Sequence, residues 1–451
     1  MCAFESNTLS QTRAYYWKKV KMNSLNKING SALKQDIERT ADFGAVDCAE
    51  GRGRTVLPGT ISNGQARSYL IERMTATGLE TRIDAVGNIS GRWSPPSADD
   101  DASPVVAGSH LDSVPEGGIF DGPLGVYAAL ESVRAIKDSD LSVTQPIEVV
   151  CFTGEEGTRF ADGVLGSSVA AGNLSIQEAL SLSDGNQTLE QALEHIGCKG
   201  HGRLDASNWK AWFELHVEQG KRLERKDVPV GIVSSITGTT RCHITFEGES
   251  NHAGTTPMTD RQDALTAASE FIVALESTAQ NIATNESESA VATVGSLSVA
   301  PGATNVVPGS VELSVDIRDV DATVIERLID TIEQTSNRIE QERNVDTEIE
   351  RGYDVVPQPM TEQLSQRLRT AAQQCDIEPI SLHSGAGHDT MKIAEVTDVG
   401  MLFARSRGGY SHSPRERTDW DDCTVATQVL ATAIAETAGA DLKQCAVDKG
   451  R

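Results

Sequence analysis

Short hydrophobic runs alternate with helical patterns through most of the chain. Four such runs occur, at 104–109, 146–152, 209–215 and 399–404. Runs of this kind are typical of strands that are buried on both faces of a parallel sheet. Stretches with helical spacing of apolar residues, such as 61–78 and 125–136, lie between them. We therefore predict an α/β fold whose mostly parallel sheet has helices on both faces.

The middle of the chain has a different pattern. Polar and apolar residues alternate in three stretches, at 240–247, 290–298 and 310–318. Such alternation is typical of antiparallel strands with one face in water. Helical patterns at 263–278 and 321–342 lie between these strands. We predict an inserted antiparallel α+β domain at 231–347 and a larger domain made of 28–230 and 348–451.

The first residues differ from both domains. Lys18, Lys19 and Lys21 lie beside Tyr16 and an adjacent tryptophan, and no apolar stretch of a secretory signal follows them. We expect residues 1–27 to form a disordered basic tail without chemistry. An alternative is that translation begins at the methionine at position 22.

The charge of the chain excludes several classes of partner. Sixty-five acidic and 40 basic residues give a formal net charge of −25. That balance argues against binding to nucleic acid or to anionic lipid, both of which need basic surfaces, and no apolar run is long enough for a membrane span. The acidity fits either a salt-adapted organism or an ordinary acidic enzyme. Eight scattered cysteines without a CxxC pair predict reduced thiols and a cytoplasmic protein.

Metal-binding residue types follow the predicted buried strands. They are His110, Asp121, Glu156, His216 and His412. In open α/β sheets, ligands bind beyond the carboxyl ends of the strands, so these separate segments are expected to meet in one crevice. Taken singly, each residue has an ordinary explanation, such as a capping histidine, an acidic first helical turn or an aspartate in a tight turn.

Together, five imidazole and carboxylate ligands are too many for one catalytic zinc ion, which keeps an open position. They suit two divalent ions that share one carboxylate. Glu155, which lies next to one of these residues, is the natural general base. Zinc fits this ligand set, and manganese, cobalt or nickel are alternatives.

Five segments resemble the carbamoylase/allantoate amidohydrolase branch of the M20 metallopeptidase superfamily. They are GSHLDSVPEGGIFDGPLGV (108–126), FTGEEGTRF (152–160), FELHVEQG (213–220), NHAGTTPM (251–258) and YSHSPRE (410–416). The resemblance implies that His110 and His216 hold one ion and that Glu156 and His412 hold the other. It further implies that Asp121 bridges the two ions.

The resemblance also implies a set of substrate-binding residues. These are Gln219, His252, Asn305, Arg318, Gly387 and His388. His252 would be catalytic by stabilising an oxyanion, while Asn305 and Arg318 would bind the substrate carboxylate. In a homodimer these three residues would reach the active site of the partner. The resemblance also implies that 28–230 and 348–451 form a catalytic, metal-binding domain and that 231–347 acts as a lid and dimerisation domain. From the residues alone, Arg318 could equally form a salt bridge with Asp316 or Asp319, His252 could be an ordinary loop histidine and Asn305 could belong to a turn.

These observations predict a binuclear metal-dependent amidohydrolase. Its expected substrate is an N-carbamoyl-L-amino acid, whose ureido C–N bond would be cleaved to give the amino acid, ammonia and carbon dioxide. Allantoate and N-carbamoyl-β-alanine are alternative substrates, because they carry the same ureido and carboxylate groups. A dipeptidase or aminoacylase of the same superfamily, or a metal-binding homologue without catalysis, is a further alternative.

Overall fold

A computed structural model describes residue 25, residues 27–99, residues 101–440 and residue 442. The predicted basic tail at 1–27 therefore lies outside the described residues, apart from positions 25 and 27. In chain order, the first elements are α1 (Gly30–Ala41), β1 (Ala45–Val46), β2 (Gly53–Arg54), α2 (Ile61–Ala76), β3 (Glu80–Ile83), β4 (Ile89–Trp93), β5 (Val105–His110), α3 (Pro123–Lys137), β6 (Ile147–Phe152), α4 (Leu165–Ala171), α5 (Ile176–Ser181), α6 (Leu189–His195), β7 (Ala211–Val217) and α7 (Arg222–Lys226).

The chain continues through a second series of elements. They are β8 (Val230–Ile236), β9 (Gly238–Glu247), β10 (Asn251–His252), α8 (Ala264–Asn285), β11 (Val291–Ala300), β12 (Val306–Val307), β13 (Ser310–Asp319), α9 (Ala322–Arg343), β14 (Asp346–Val355) and β15 (Gln358–Pro359). The last elements are α10 (Glu362–Gln374), β16 (Ile380–Ser384), α11 (Asp389–Ile393), β17 (Val399–Ala404) and α12 (Trp420–Thr437).

The chain divides into two compact units. Unit 1 contains the described residues up to Val233, Met360–Leu382 and those from His388 onward. Unit 2 contains Ser234–Pro359 and His383–Gly387. The inserted segment is thus longer at its C-terminal end than the predicted 231–347. The difference arises because β14, which the sequence boundary separated from the insertion, pairs along its length with β9.

Unit 1 is built on a sheet with a parallel centre. Its strands lie in the order β8-β17-β7-β5-β6-β4-β3. The neighbours β17 and β7, β7 and β5, and β5 and β6 are parallel, while β8, β4 and β3 pair antiparallel. The four central strands are buried at every position, which explains their continuous apolar sequences. The predicted α/β fold is confirmed, with antiparallel strands at both edges.

Helix α3 is the central helix of unit 1. It is buried at nearly every position, packs against β5, β6 and β7, and is covered in turn by α12. A helix that is apolar all round needs such neighbours on several sides. The parallel strands and α3 together hold the C-terminal end of β5, where His110 lies, in a fixed position.

Unit 2 is a four-stranded antiparallel sheet with two long helices. Its strand order is β11-β13-β9-β14, and a separate pair is formed by β10 and β12. The helices α8 and α9 pack on the sheet, where Phe246 of β9 and Phe271 of α8 have ring centroids 5.6 Å apart. Buried and exposed positions alternate along β9 and β13, as their sequence patterns predict.

Among the residues that the structure describes, no helix is long and apolar enough to cross a membrane. The cysteines at positions 48, 151, 198, 242, 375 and 423 are all free thiols.

Candidate active site

Two buried histidines form the first half of the site. His110 is the last residue of β5, and His216 is the next-to-last residue of β7. The Nδ1 atom of His110 lies 3.2 Å from the carbonyl oxygen of Asp112, and that of His216 lies 3.1 Å from the carbonyl oxygen of Val217. A carbonyl oxygen only accepts, so each Nδ1 is the donor. Each Nε2 is therefore the ring atom that faces the site and could bind a metal ion.

The two Nε2 atoms face the same carboxylate oxygen. Asp121 Oδ1 lies 3.5 Å from His110 Nε2 and 3.2 Å from His216 Nε2. Within the described part of the chain, neither buried Nε2 atom has a hydrogen-bond partner of good geometry. An imidazole nitrogen this close to a carboxylate oxygen needs a positive charge between the two atoms, which a proton or a metal ion can supply. The two Nε2 atoms and the Asp121 oxygen therefore suit the binding of a divalent cation.

A second group of ligand atoms lies on the other side of Asp121. His412 Nε2 is 3.2 Å from Glu156 Oε2 and 3.8 Å from Asp121 Oδ2. Asp121, Glu156 and His412 each offer one atom, and these atoms lie within 4.8 Å of one another, as do those of Asp121, His110 and His216. Asp121 thus belongs to both groups, with one carboxylate oxygen directed to each. That is the arrangement that two ions sharing a carboxylate require.

The backbone next to Asp121 leaves room for the histidine. Gly122 has φ of +80°, and a Cβ atom there would lie 2.6 Å from the His110 ring. Only glycine adopts this conformation without strain and fits against the imidazole. The short loop between β5 and α3 can therefore place Asp121 directly beside His110.

Glu155 lies beside the first group without belonging to it. Its Oε2 is 3.6 Å from His110 Nε2, and its side chain is only 10% exposed. Burial raises the pKa of Glu155 well above its usual value, and the Glu156 carboxylate adds to this while His110 opposes it. Glu155 is therefore a buried carboxyl group that holds its proton more tightly than an exposed one.

The pKa values of the histidines are raised because carboxylates surround them. Burial lowers the pKa of His110, but the nearby carboxylates, led by Glu155, outweigh it and raise that pKa well above the usual value. The hydrogen bond to Glu156 raises the pKa of His412 to about 9. For Asp121, burial is outweighed by His216 and His110, which hold its pKa well below normal. Without a metal ion, the cluster neutralises its carboxylates with protons, and a cation would replace those protons.

Asp112 orients the loop that carries Glu155 and Glu156. The sequence did not indicate this role. Its Oδ1 accepts from the backbone N–H of Glu155 at 3.4 Å, and its Oδ2 accepts from that of Glu156 at 3.2 Å. The only signal in the sequence was its position two residues after His110, at the end of a buried strand.

Gln219 contacts the carboxylate of Asp121. Its Nε2 donates to Asp121 Oδ2 at 2.7 Å, and Ser411 Oγ donates to the same oxygen at 3.0 Å. His388 lies against His216, with ring centroids 4.5 Å apart. Burial and the neighbouring His216 lower the pKa of His388 well below its usual value, so its ring is neutral. Substrate contact by Gln219 and His388 stays a prediction.

The other predicted substrate residues, Gly387 among them, lie in unit 2. The pairing of β10 with β12 brings His252 next to Asn305, whose carbonyl oxygen accepts from the backbone N–H of Ala253 at 2.9 Å. Arg318 makes an ion pair with Asp316, with Nε 2.8 Å from Oδ1. The salt bridge that the sequence left open as an alternative is therefore present in this structure. The catalytic and substrate roles of these unit 2 residues stay predictions.

The chain is similar to several known proteins over most of its length. The model of peptidase family M20/M25/M40 matches residues 106–436. An N-carbamoyl-L-amino acid amidohydrolase of Geobacillus stearothermophilus is 38% identical over 91% of this chain and 99% of that protein.

Two other relatives extend the comparison. An allantoate deiminase of Arabidopsis thaliana is 36% identical over 78% of this chain and 73% of that protein. The crystal structure of an amidase of the hydantoinase/carbamoylase family from Burkholderia multivorans is similar with a TM-score of 0.85 and 32% identity, over 91% of this chain and 98% of that one. The chain therefore belongs to peptidase family M20/M25/M40, in its hydantoinase/carbamoylase branch.

Proposed function

We propose that this protein hydrolyses the ureido C–N bond of N-carbamoyl-L-amino acids, with two divalent metal ions as cofactors. His110 and His216 would hold one ion, Glu156 and His412 the other, and Asp121 both. The observation that carries the proposal is the Asp121 carboxylate, whose two oxygens face two separate sets of ligand atoms. When bound, such a pair of ions lowers the pKa of water and polarises a carbonyl group.

Glu155 would act as the general base and acid. It lies next to the first group, is shielded from solvent, and is absent from both sets of ligand atoms. It would take the proton of the attacking water and later give it to the nitrogen of the leaving amino acid. One water adds, one C–N bond breaks, and the carbamate formed decomposes to ammonia and carbon dioxide.

The substrate class is supported by the named relatives. Relatives named N-carbamoyl-L-amino acid amidohydrolase match about nine-tenths of this chain. Allantoate is the second candidate, because relatives named allantoate deiminase are 34–36% identical. N-Carbamoyl-β-alanine is the third, because it too carries a ureido group and a carboxylate.

Ammonia release from a panel of these ureido acids tests the proposal. We expect zinc-dependent turnover of N-carbamoyl-L-amino acids that a chelator abolishes and added metal restores. An N-acyl amino acid and a dipeptide serve as controls for an aminoacylase or a dipeptidase. Turnover of allantoate alone would move the assignment to the second candidate, and no turnover of any ureido acid by the metal-loaded protein would refute the proposal.

Zinc is the proposed native ion. Three imidazoles with carboxylates suit zinc, although manganese, cobalt and nickel accept the same ligands. Metal analysis of the protein purified without added metal distinguishes them. We also propose a cytoplasmic location, because all the cysteines in the described residues are free, and fractionation of the source cells tests it.

Unit 2 is proposed as a lid and dimerisation domain. His252, Asn305 and Arg318 would complete the active site of the partner subunit, with His252 stabilising the oxyanion and the other two binding the substrate carboxylate. The backbone N–H of Gly254 donates to His252 Nδ1 at 3.0 Å, so the proton of the neutral ring is on Nε2, where it could be donated to an oxyanion.

A mixture of two inactive variants tests this shared site. In a heterodimer of His252→Ala and Glu155→Ala chains, one of the two sites would have both residues intact. We expect partial recovery of activity on mixing. No recovery from a verified heterodimer would contradict the shared site while leaving the metal chemistry untouched.

A further inference from the structure

Two buried charged side chains hold the loop that carries Asp121, here called the bridging loop (residues 111–122). Arg54 is fully buried at the end of β2 and donates to carbonyl oxygens of this loop. Its Nε is 3.2 Å from the carbonyl oxygen of Gly118, and its Nη1 is 3.1 Å from that of Leu111. Its Nη2 is 3.3 Å from the carbonyl oxygen of Asp112 and 3.4 Å from that of Asp121.

Glu416 binds the opposite groups of the same loop. It lies four residues after His412, and its Oε1 accepts from the backbone N–H of Phe120 at 2.8 Å and from that of Asp121 at 3.1 Å. A Cβ atom on Gly118 would lie 2.2 Å from this oxygen, so the loop backbone approaches the carboxylate as closely as glycine permits.

The two side chains therefore fix the backbone on both sides of one residue. Glu416 accepts from the N–H of Asp121, and Arg54 donates to its C=O. The side-chain torsions of Asp121 are restrained separately, because its Oδ2 accepts hydrogen bonds from Gln219 and Ser411. Hydrogen bonds thus restrain both the backbone of Asp121 and the position of its Oδ2 atom.

Burial of these charges is costly for stability alone. Arg54 donates its hydrogen bonds to neutral carbonyl oxygens, and attraction to nearby carboxylates, led by Glu416, only partly offsets the cost of its burial. Glu416 Oε2 is buried without a hydrogen-bond partner among the described residues. Buried charged groups without full pairing destabilise a fold. Both side chains nevertheless contact the bridging loop, whose Asp121 belongs to both sets of ligand atoms.

We propose that Arg54 and Glu416 are positioning residues that set the metal affinity of the site by holding the Asp121 carboxylate between the two groups of ligands. The inference rests on the proposed binuclear site. Groups outside the ligand sphere that orient a ligand typically change metal affinity 10-fold to 100-fold when they are removed. Here the oriented ligand serves both ions, so both should be affected.

Zinc affinity of the chelator-stripped full-length protein tests this, measured by competition with a chromophoric chelator. We expect Glu416→Ala to weaken zinc binding 10-fold to 100-fold. Glu416→Gln should recover most of that affinity, because its Oε1 still accepts from both N–H groups. Arg54→Lys should also weaken binding, because one ammonium group cannot reach four carbonyl oxygens. If Glu416→Ala does not fold, Glu416→Asp replaces it, since the shorter side chain keeps the charge but withdraws its oxygens from the loop.

Asp36→Ala is the matched control. Asp36 is an equally buried carboxylate that accepts from Tyr69 and Arg134, away from the bridging loop. We expect this variant to melt at a lower temperature but to bind zinc like the wild type. Wild-type affinity in folded Glu416→Ala, equal loss in Glu416→Gln, or equal loss in Asp36→Ala would each overturn the inference. Failure of the wild type itself to bind two zinc ions would instead refute the proposed function.

Discussion

Replacing Glu155 by glutamine separates a general base from a metal ligand. The change replaces the carboxylate by an amide group of nearly the same shape. The backbone N–H of Glu155 still donates to Asp112, so the loop that carries Glu156 keeps its anchor. The variant therefore loses the ability to accept a proton and little else.

The size of the effect follows from the position of Glu155. The residue lies 3.6 Å from His110 Nε2 but belongs to neither set of ligand atoms, so zinc binding should not need it. Loss of a general base lowers a rate about 10²-fold to 10⁴-fold, which corresponds to about 2.7–5.4 kcal/mol in activation free energy. We expect a decrease of this size in kcat with two zinc ions still bound.

The assay combines initial rates of ammonia release at saturating zinc with metal analysis of the gel-filtered protein. Glu38→Gln is the control, because Glu38 is a half-exposed glutamate on α1 and the change should leave both quantities unchanged. A decrease below 10-fold would refute the role of Glu155 as base. Loss of a zinc ion in parallel with the rate would show that Glu155 is a ligand.

Two further variants test the local physics of unit 1. Gly122→Ala places a methyl group against the His110 ring at positive φ, and we expect it to lower the free energy of unfolding of the zinc-free protein by about 2 kcal/mol or more. Gly185→Ala, at a similar φ with nothing within 4 Å, should lower that free energy by less in the same denaturant titration. Equal losses in the two variants would contradict the clash with His110. Burial and the nearby Glu214 raise the pKa of Asp389 to about 8. Its protonated form is therefore favoured in the fold, so the stability that it contributes is complete below its unfolded pKa and is lost as pH rises through about 8. The zinc-free wild type should lose up to about 1.4 kcal/mol per pH unit relative to Asp389→Asn between pH 4 and 8, and parallel curves for the two proteins would contradict this.

The central strands and the grouping of metal-type residues were predictable because each depends on local pattern. A continuous apolar run ends at His110, and parallel strands leave their carboxyl ends at one edge of the sheet. Proximity of His110, Asp121 and His216 follows from that rule. The assignment of residues to two ions came from the resemblance, and the geometry groups the same residues.

Other features depend on contacts that no local pattern carries. Strand β14 is rich in acidic residues and contains little apolar alternation, so the end of unit 2 was placed too early. Arg54 and Glu416 bind backbone groups that are remote in sequence, and neither lies in a periodic pattern. Asp112 binds the amides of a loop that follows another strand. Such side-chain contacts to distant backbone become visible only when the fold brings the segments together.

A crystal structure of the zinc-loaded protein, with anomalous scattering recorded at the zinc edge, tests the central claim most directly. We predict two anomalous peaks per chain, with Asp121 bound to both, His110 and His216 at one, and Glu156 and His412 at the other. A single peak among these residues, or two peaks that do not share Asp121, would contradict the account.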